Sequence, residues 1–565
     1  MLFLFFFTSL LILLSTVGYG LIFTKFLKFE KFNYNYGLIG ILGLFTLSII
    51  SSYTHLFFSH NYIHNIIILL IGLISLIFIN KEKFKQLKFI LPVFILSFIF
   101  LLIAKTNEDF GYYHLPNSIQ FAQQKLQFGL GNLSHGFKHI SSLFMIMSLN
   151  YLPIFEYYLF NLTNFLFFIF FITFILVEVY LRNRENLNLS NIILSLFLIL
   201  FLTKFSRLAE YGSDISGQIV ISIYFFYFLE FIYNKKLILE NKIDYLKIAI
   251  ILIIFAITLK FISVIYSILL FTFFMVPKEK KKIFTSLIKK EYLFIIFLPL
   301  IIFIFLNFTS TGCLIYPVEK LCFSKTFDWA LSSELIKDLN LHYEVWSKGG
   351  KGPGFGINNQ EEYILFLNWL PNWFNVYFYG KFTDYILVIL IIIFVFSIFN
   401  YKKILETKKL LIENKNNYLV LNLLLFTIFL LWFMNFPSLR YAGYLIVFLL
   451  VIFPYSIYLD KRVNLSEGSN IKKISIIFII SYAIFLYKNV SRVNNELMVS
   501  DNAHHNFKNF PFYWVKKNDF DEIYLNDHLL YLTKGKCWAI PTTCIRGLSG
   551  LEVSKKNNYI FYLAK

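Results

Sequence analysis

The chain has 565 residues, of which 58% are hydrophobic and only 15% charged, a balance that excludes an ordinary soluble globular protein and fits a polytopic membrane protein. The net charge of +19 does not point to nucleic acid, because Lys and Arg fall in short clusters between apolar runs, where they act as topology signals.

A span needs about 20 predominantly apolar residues to cross a hydrocarbon core of roughly 30 Å. In chain order, spans are predicted near 1–23, 38–58, 62–80, 88–104, 154–181, 188–205, 215–233, 247–259, 261–276, 292–308, 384–400, 417–434, 441–458 and 474–488, an all-α bundle of about 13–14 transmembrane helices. The first run has no basic residue before it and no small-residue cleavage site, so a retained span is expected and not a removed signal peptide. Basic clusters at Lys25/Lys28/Lys31, Lys81 to Lys88, Arg182/Arg184, Lys235 to Lys247, Lys278 to Lys290, Lys402 to Lys415 and Lys461 to Lys473 occupy alternate loops. If these are cytoplasmic, both termini and the segments 105–153, 206–214, 309–383 and 489–565 lie outside. A helix along the outer interface is expected near 138–153. Short β-like runs at Glu522–Leu525 and Tyr559–Leu563 predict a small soluble outside domain at 489–565, after a membrane core of 1–488.

Cys313 and Cys322 share one outside loop, and Cys537 and Cys544 share the tail. Two local disulfides in an oxidising compartment fit better than zinc, which favours C-x2-4-C spacing.

Chemistry is sought in the outside segments. In Thr106-Asn-Glu-Asp-Phe-Gly-Tyr-Tyr-His-Leu-Pro-Asn-Ser118, Glu108 and Asp109 stand just past a span, either as a solvated helix start or as a general base with its helper. Arg207, Glu210 and Asp214 occupy a short loop at the same depth, with a helix N-cap as the plainer role for Asp214. Arg440, in Asn435-Phe-Pro-Ser-Leu-Arg-Tyr441, either snorkels to headgroups or presents its fork to a phosphate. Lys260 sits near an outer turn, where a cation inside a span costs about 2.5 to 3.5 kcal/mol unless it faces a polar cavity. Glu178 and Arg182 read as a structural i,i+4 pair. Ser347 to Gly356 lacks the order of a phosphate loop and reads as a flexible segment. His135 and His139 have metal-ligand spacing on a helix, but Gly136 weakens the helix and favours polar interface residues.

Several landmarks together carry a resemblance: Glu108-Asp109 followed by Tyr113-His114-Leu115-Pro116 and Gly129-Leu-Gly-Asn-Leu133, Tyr211-Gly-Ser-Asp-Ile215, Gly312-Cys-Leu-Ile-Tyr-Pro317 with Cys322, Ser438-Leu-Arg-Tyr441, and Cys537-Trp-Ala-Ile-Pro-Thr-Thr-Cys544. The chain resembles polytopic glycosyltransferases of the GT-C superfamily, in particular a poorly characterised bacterial integral membrane branch. The resemblance implies a GT-C-like fold in the bacterial inner membrane. It also implies transfer of a sugar from a polyprenyl-phosphate donor to a cell-envelope glycan, lipid or protein on the periplasmic face, with inversion by single displacement. Asp109 matches the first-loop acid, with Glu108 beside it, and Asp214 the second. Arg440 would hold the donor phosphate, with Tyr441, His114, Arg207, Lys260 and Glu210 as further substrate-binding candidates. A divalent cation, Mg or Mn, stays open at Asp109 and Asp214. No Trp-Trp-Asp acceptor motif is present, which disfavours an asparagine acceptor. An O-antigen polymerase or ligase would rely on outside arginines, which are few before the tail. A flippase would need ionisable residues near the midplane, for which Lys260 is the candidate.

Overall fold

The structure is a computed structural model that describes residues 1–79, 86–102, 108–182, 189–205, 212–234, 237–275, 280–350, 357–406, 415–462, 468–498, 515–516, 518–548 and 550–564. Among the described residues, nine helices are long and apolar enough to cross a membrane, from Leu2–Phe26 to Ser475–Asn495. Four shorter apolar helices accompany them, Tyr62–Phe78, Leu87–Ser97, Leu189–Lys204 and Phe261–Thr272. Helix Leu239–Leu259 starts earlier than the expected 247, because its first turns carry charges that find partners: Lys31 Nζ meets Asp244 at 2.5 Å and Asn241 at 2.7 Å.

The bundle has an inside and an outside. Within the apolar windows of helices Tyr157–Val179 and Ser213–Tyr233, 94% of residues are buried, against 22% for Leu370–Ile398 and Asn417–Asn435, so the former are central and the latter peripheral. On helix Tyr62–Ile79 the exposed positions Ile66, Leu70, Ile74 and Ile77 recur at helical spacing, an apolar stripe suited to lipid and not to water. The first three helices approach closely through glycine. A Cβ on Gly18 would stand 1.9 Å from Gly72 O, and one on Gly43 would stand 2.0 Å from Thr16 O.

The interface helix expected near 138–153 is instead a short inner one, Ser142–Ser148, buried throughout. Its core Leu143-Phe-Met-Ile-Met147 has no polar face to offer water. Ser141 caps it, accepting from Leu143 N at 3.2 Å, and donates to the last carbonyl of helix Leu239–Leu259 at 2.6 Å. One serine thereby ties two helix ends whose backbone groups would otherwise lack partners.

Helix Gly468–Met498 runs past the expected boundary at 489. Beyond it, β1 (Asp521–Leu525), β2 (His528–Leu532) and β3 (Cys544–Ile545) form one sheet, and β4 (Leu551–Lys556) pairs with β5 (Tyr559–Ala564). Both hairpins turn on two residues of positive φ, Asn526-Asp527 and Asn557-Asn558, the geometry that matches the twist of the flanking strands. This tail does not stand apart: Leu530, Ile545, Val553 and Tyr562 share a core with Leu130, Leu133 and Phe137. Phe128 exchanges backbone hydrogen bonds with Ile560 and Tyr562, both 2.9 Å. Cys313–Cys322 and Cys537–Cys544 are both disulfides, as their local spacing leads one to expect.

Candidate functional site

Asp109 opens a wide helical turn, Phe110–His114, that continues into Leu115–Gln123 with Pro116 near its start, where a missing N–H costs nothing. Asp214 is the second residue of helix Ser213–Tyr233. The N-cap position expected for it belongs to Gly212, whose φ of 49° suits glycine, and the Asp214 carboxylate is free to point inward from the first turn, where the helix dipole favours a negative charge. Arg440 comes from a break between two helices, where Tyr441 and Ala442 leave helical backbone angles. Its turn is fastened by side-chain donors to its carbonyls: Trp432 Nε1 to Ser438 O at 3.1 Å, Trp373 Nε1 to Pro437 O at 2.9 Å, and Tyr266 Oη to Ala442 O at 3.0 Å. Lys260 follows helix Leu239–Leu259 in extended backbone.

These four residues meet. Arg440 Nη2 donates to Asp109 Oδ2 at 2.8 Å and Arg440 Nε to Asp214 Oδ2 at 3.1 Å, so one guanidinium spans both carboxylates. Lys260 Nζ pairs with the other oxygen of Asp214 and lies 4.7 Å from the centre of the Tyr441 ring. The side chain of Asp214 is 2% exposed, whereas those of Asp109 and Arg440 are 33% and 29% exposed. The cluster is therefore closed at Asp214 and open at Asp109 and Arg440. Burial acts to raise the Asp109 carboxyl pKa, but Arg440, with His114 and Lys260, outweighs it and holds the group below its ordinary value.

A shell of aromatic side chains surrounds the opening. Tyr441 lies 5.9 Å from Trp346, ring to ring, and Tyr377 Oη donates to Trp346 O at 3.1 Å. From the tail, Trp538 N donates to Gly111 O at 2.9 Å, and a Cβ on Gly111 would stand 2.2 Å from the Trp538 ring. The disulfide-closed loop thus sits directly on the turn that carries Asp109.

Other expected site residues fall elsewhere. Glu108, 94% exposed, turns away from the cluster and meets Lys536 at 3.4 Å, so its place beside Asp109 in sequence does not carry into space. His114 is buried, and burial holds it neutral with a pKa near 3. A Cβ on Gly212 would stand 2.3 Å from its ring, so it packs between the Asp109 turn and the Asp214 helix and is not open to a ligand. Arg207 and Glu210 lie outside the described residues, as does the segment 351–356 of the glycine-rich stretch. His135 and His139 do not form a helical metal pair. Both Nε2 atoms contact Tyr343 Oη, at 3.0 and 3.3 Å. Glu178 accepts from Tyr34 Oη at 2.6 Å and Asn35 Nδ2 at 3.1 Å, the side chain of Arg182 lying outside the described residues. Sequence reading missed Trp538, Lys536 and Tyr343. Gly111 beside Asp109, and a tryptophan enclosed by two cysteines, were the available signals for the first.

Among the described residues no group of three or more His, Cys, Asp or Glu could hold a metal ion. The oxygens of Asp109 and Asp214 already face Arg440 and Lys260, so a divalent cation between them would have to displace fixed positive charge. The donor set as folded suits an anion drawn to those cations better than a third cation.

No curated protein and no solved structure matches the chain. Residues 1–447, well over half of it, match a family described as Domain of unknown function (DUF8201). The chain belongs to the DUF8201 family.

Proposed function

We propose that the chain is a GT-C type membrane glycosyltransferase that transfers a sugar from a polyprenyl-phosphate donor to a hydroxyl acceptor at the outer, periplasmic face. The observation that carries this reading is the spanning of Asp109 and Asp214 by one guanidinium with an open edge at Asp109. The alternation of basic clusters supports the outer placement of that edge.

In the resting cluster two carboxylates balance two cations. A donor phosphate entering at the open edge competes for Arg440, whose paired N–H groups match phosphate oxygens. Drawing Arg440 toward the phosphate relieves Asp109 of the interaction that weakens it as a base. Asp109 then takes the acceptor hydroxyl proton while the oxygen attacks the anomeric carbon. The bond from that carbon to the phosphate oxygen breaks, and polyprenyl phosphate leaves as an anion beside Arg440. A positioned base contributes typically about 10² to 10⁴ in rate, and fixed charge at the leaving group adds to it. Asp214, buried and paired with Lys260, holds Arg440 in place and does not touch the acceptor.

The test is polyprenyl phosphate binding to the purified full chain. Arg440→Ala should weaken binding by about tenfold or more. Asp109→Asn, which removes a competing carboxylate, should leave it intact or tighter. Equal binding by the parent and Arg440→Ala would take the phosphate away from this cluster.

A further inference from the structure

Next to the cluster lies a second group of polar side chains that the transfer step does not use. Lys138 closes the short turn His135–Lys138 and is 7% exposed, yet its ammonium has no ion pair or hydrogen bond among the described residues. Lysine is almost never so buried without a partner, because desolvating the charge costs more than its stem gains. Burial lowers its pKa to about 8, which leaves it mostly charged at neutral pH.

Its neighbours are donors. The Lys138 charge acts on both His135 and His139, whose rings stand 5.3 Å apart. Arg546 lies 5.3 Å from the centre of the Tyr112 ring, which stacks on His135. Lys260 acts on His139 from the cluster side, and the one carboxylate felt there is Asp109. Burial is the main reason both imidazoles titrate low, about 4 for His135 and about 3 for His139, so they are neutral. Tyr343 Oη touches both Nε2 atoms and Tyr316 Oη, the last at 2.9 Å, and has one proton to give. When it donates to one imidazole, that ring carries its own proton on Nδ1, which has no partner among the described residues.

We propose that Lys138, His135 and His139 form an anion subsite that takes a carboxylate or phosphate on the glycan being joined, so that the substrates are acidic saccharides. This identification of substrate class rests on the transferase reading above. A lysine buried along its length whose ammonium has no partner among the described residues, beside neutral donors one of which can turn an N–H outward, is what an anionic oxygen group completes. The His139 ring stands 5.4 Å from that of Tyr113, in the turn that follows Asp109, so the subsite adjoins the cluster.

The experiment is calorimetric titration of the purified full chain, in an Arg440→Ala background, with inorganic phosphate and separately with glucuronate. Saturable binding is expected, weakened by about tenfold in Lys138→Met and restored by Lys138→Arg, with melting temperatures measured alongside. Binding should weaken as pH rises through about 8 and Lys138 loses its proton. Tighter glucuronate binding assigns the group to a sugar carboxylate, and tighter phosphate binding to a phosphate. Either result supports the subsite. Equal affinity in Lys138→Met and its parent overturns it, as does saturable binding in the full chain that Arg440→Ala alone abolishes. Lys138-dependent binding in a chain that transfers no sugar would sink the transferase reading and leave the subsite standing.

Discussion

Helix Tyr36–His55 has buried polar groups at both ends, and they are built differently. At its start, Glu178 is fully buried and, among the described residues, accepts from Tyr34 and Asn35, which are neighbours in sequence. Toward its other end, where His55 packs on Phe121, lies the region of Asp109, whose carboxylate pairs with a guanidinium 331 residues away and stays partly open. Burial of a charge alone does not mark a working site. Convergence of opposite charges from distant segments, left accessible on one edge, is the stronger sign.

Substitutions should separate the two regions. The largest effect is expected from Asp109→Asn, a loss of about 10² to 10⁴ in transfer rate in a protein that still folds, measured on proteoliposomes. Asp214→Ala removes the carboxylate that holds two cations, and a broken buried pair costs about 3 to 5 kcal/mol, so stability and transfer should fall together in denaturation and activity assays. Gly212→Ala would drive a Cβ into the His114 ring in backbone that glycine favours, so transfer should fall as the Asp109 turn and the Asp214 helix are pushed apart. Glu178→Gln should cost about 1 to 3 kcal/mol of stability through its hydrogen bonds with Tyr34 and Asn35 and leave the transfer rate of the folded protein unchanged. The smallest effect is expected from Glu108→Gln, within about twofold on transfer, since its contact is an exposed pair.

The pH dependence follows from the lowered Asp109 pKa. A group depressed in the folded state contributes stability above its unfolded value and loses it as pH falls through the folded one. The acid limb of transfer in the resting enzyme should therefore lie below the ordinary carboxylate range. In Arg440→Ala, where the main lowering influence is gone, it should move upward.

Much of the site was legible because each of Asp109, Asp214, Lys260 and Arg440 is a charge set against an apolar run, where its cost makes it conspicuous. Their meeting was not legible, since nothing local says which of many helix ends lie together. Glu108 and Asp109 are alike in sequence, but adjacent positions on a turn point to different sides, and only one faces inward. Asp214 looked like a cap because capping carboxylates favour helix starts. The preceding glycine took that place and freed the side chain. Lys138, His135 and His139 sit in a short polar turn that offers no contrast, so their burial appears only once the tail and the segment 309–383, with Tyr343 on helix Ser333–Ser347, pack over them. Position alone predicts an interface element around Ser142–Ser148, whereas the lack of a polar face there fits the interior that the helix occupies.

The most direct test is release of polyprenyl phosphate from polyprenyl-phosphate sugars by proteoliposomes of the parent chain and of Asp109→Asn, with covalent transfer to acceptor measured in the same samples. The account predicts matched release and transfer in the parent and near loss of both in a fully folded Asp109→Asn. Equal release by the two proteins, or movement of the lipid-linked sugar across the bilayer with no bond broken, would contradict it.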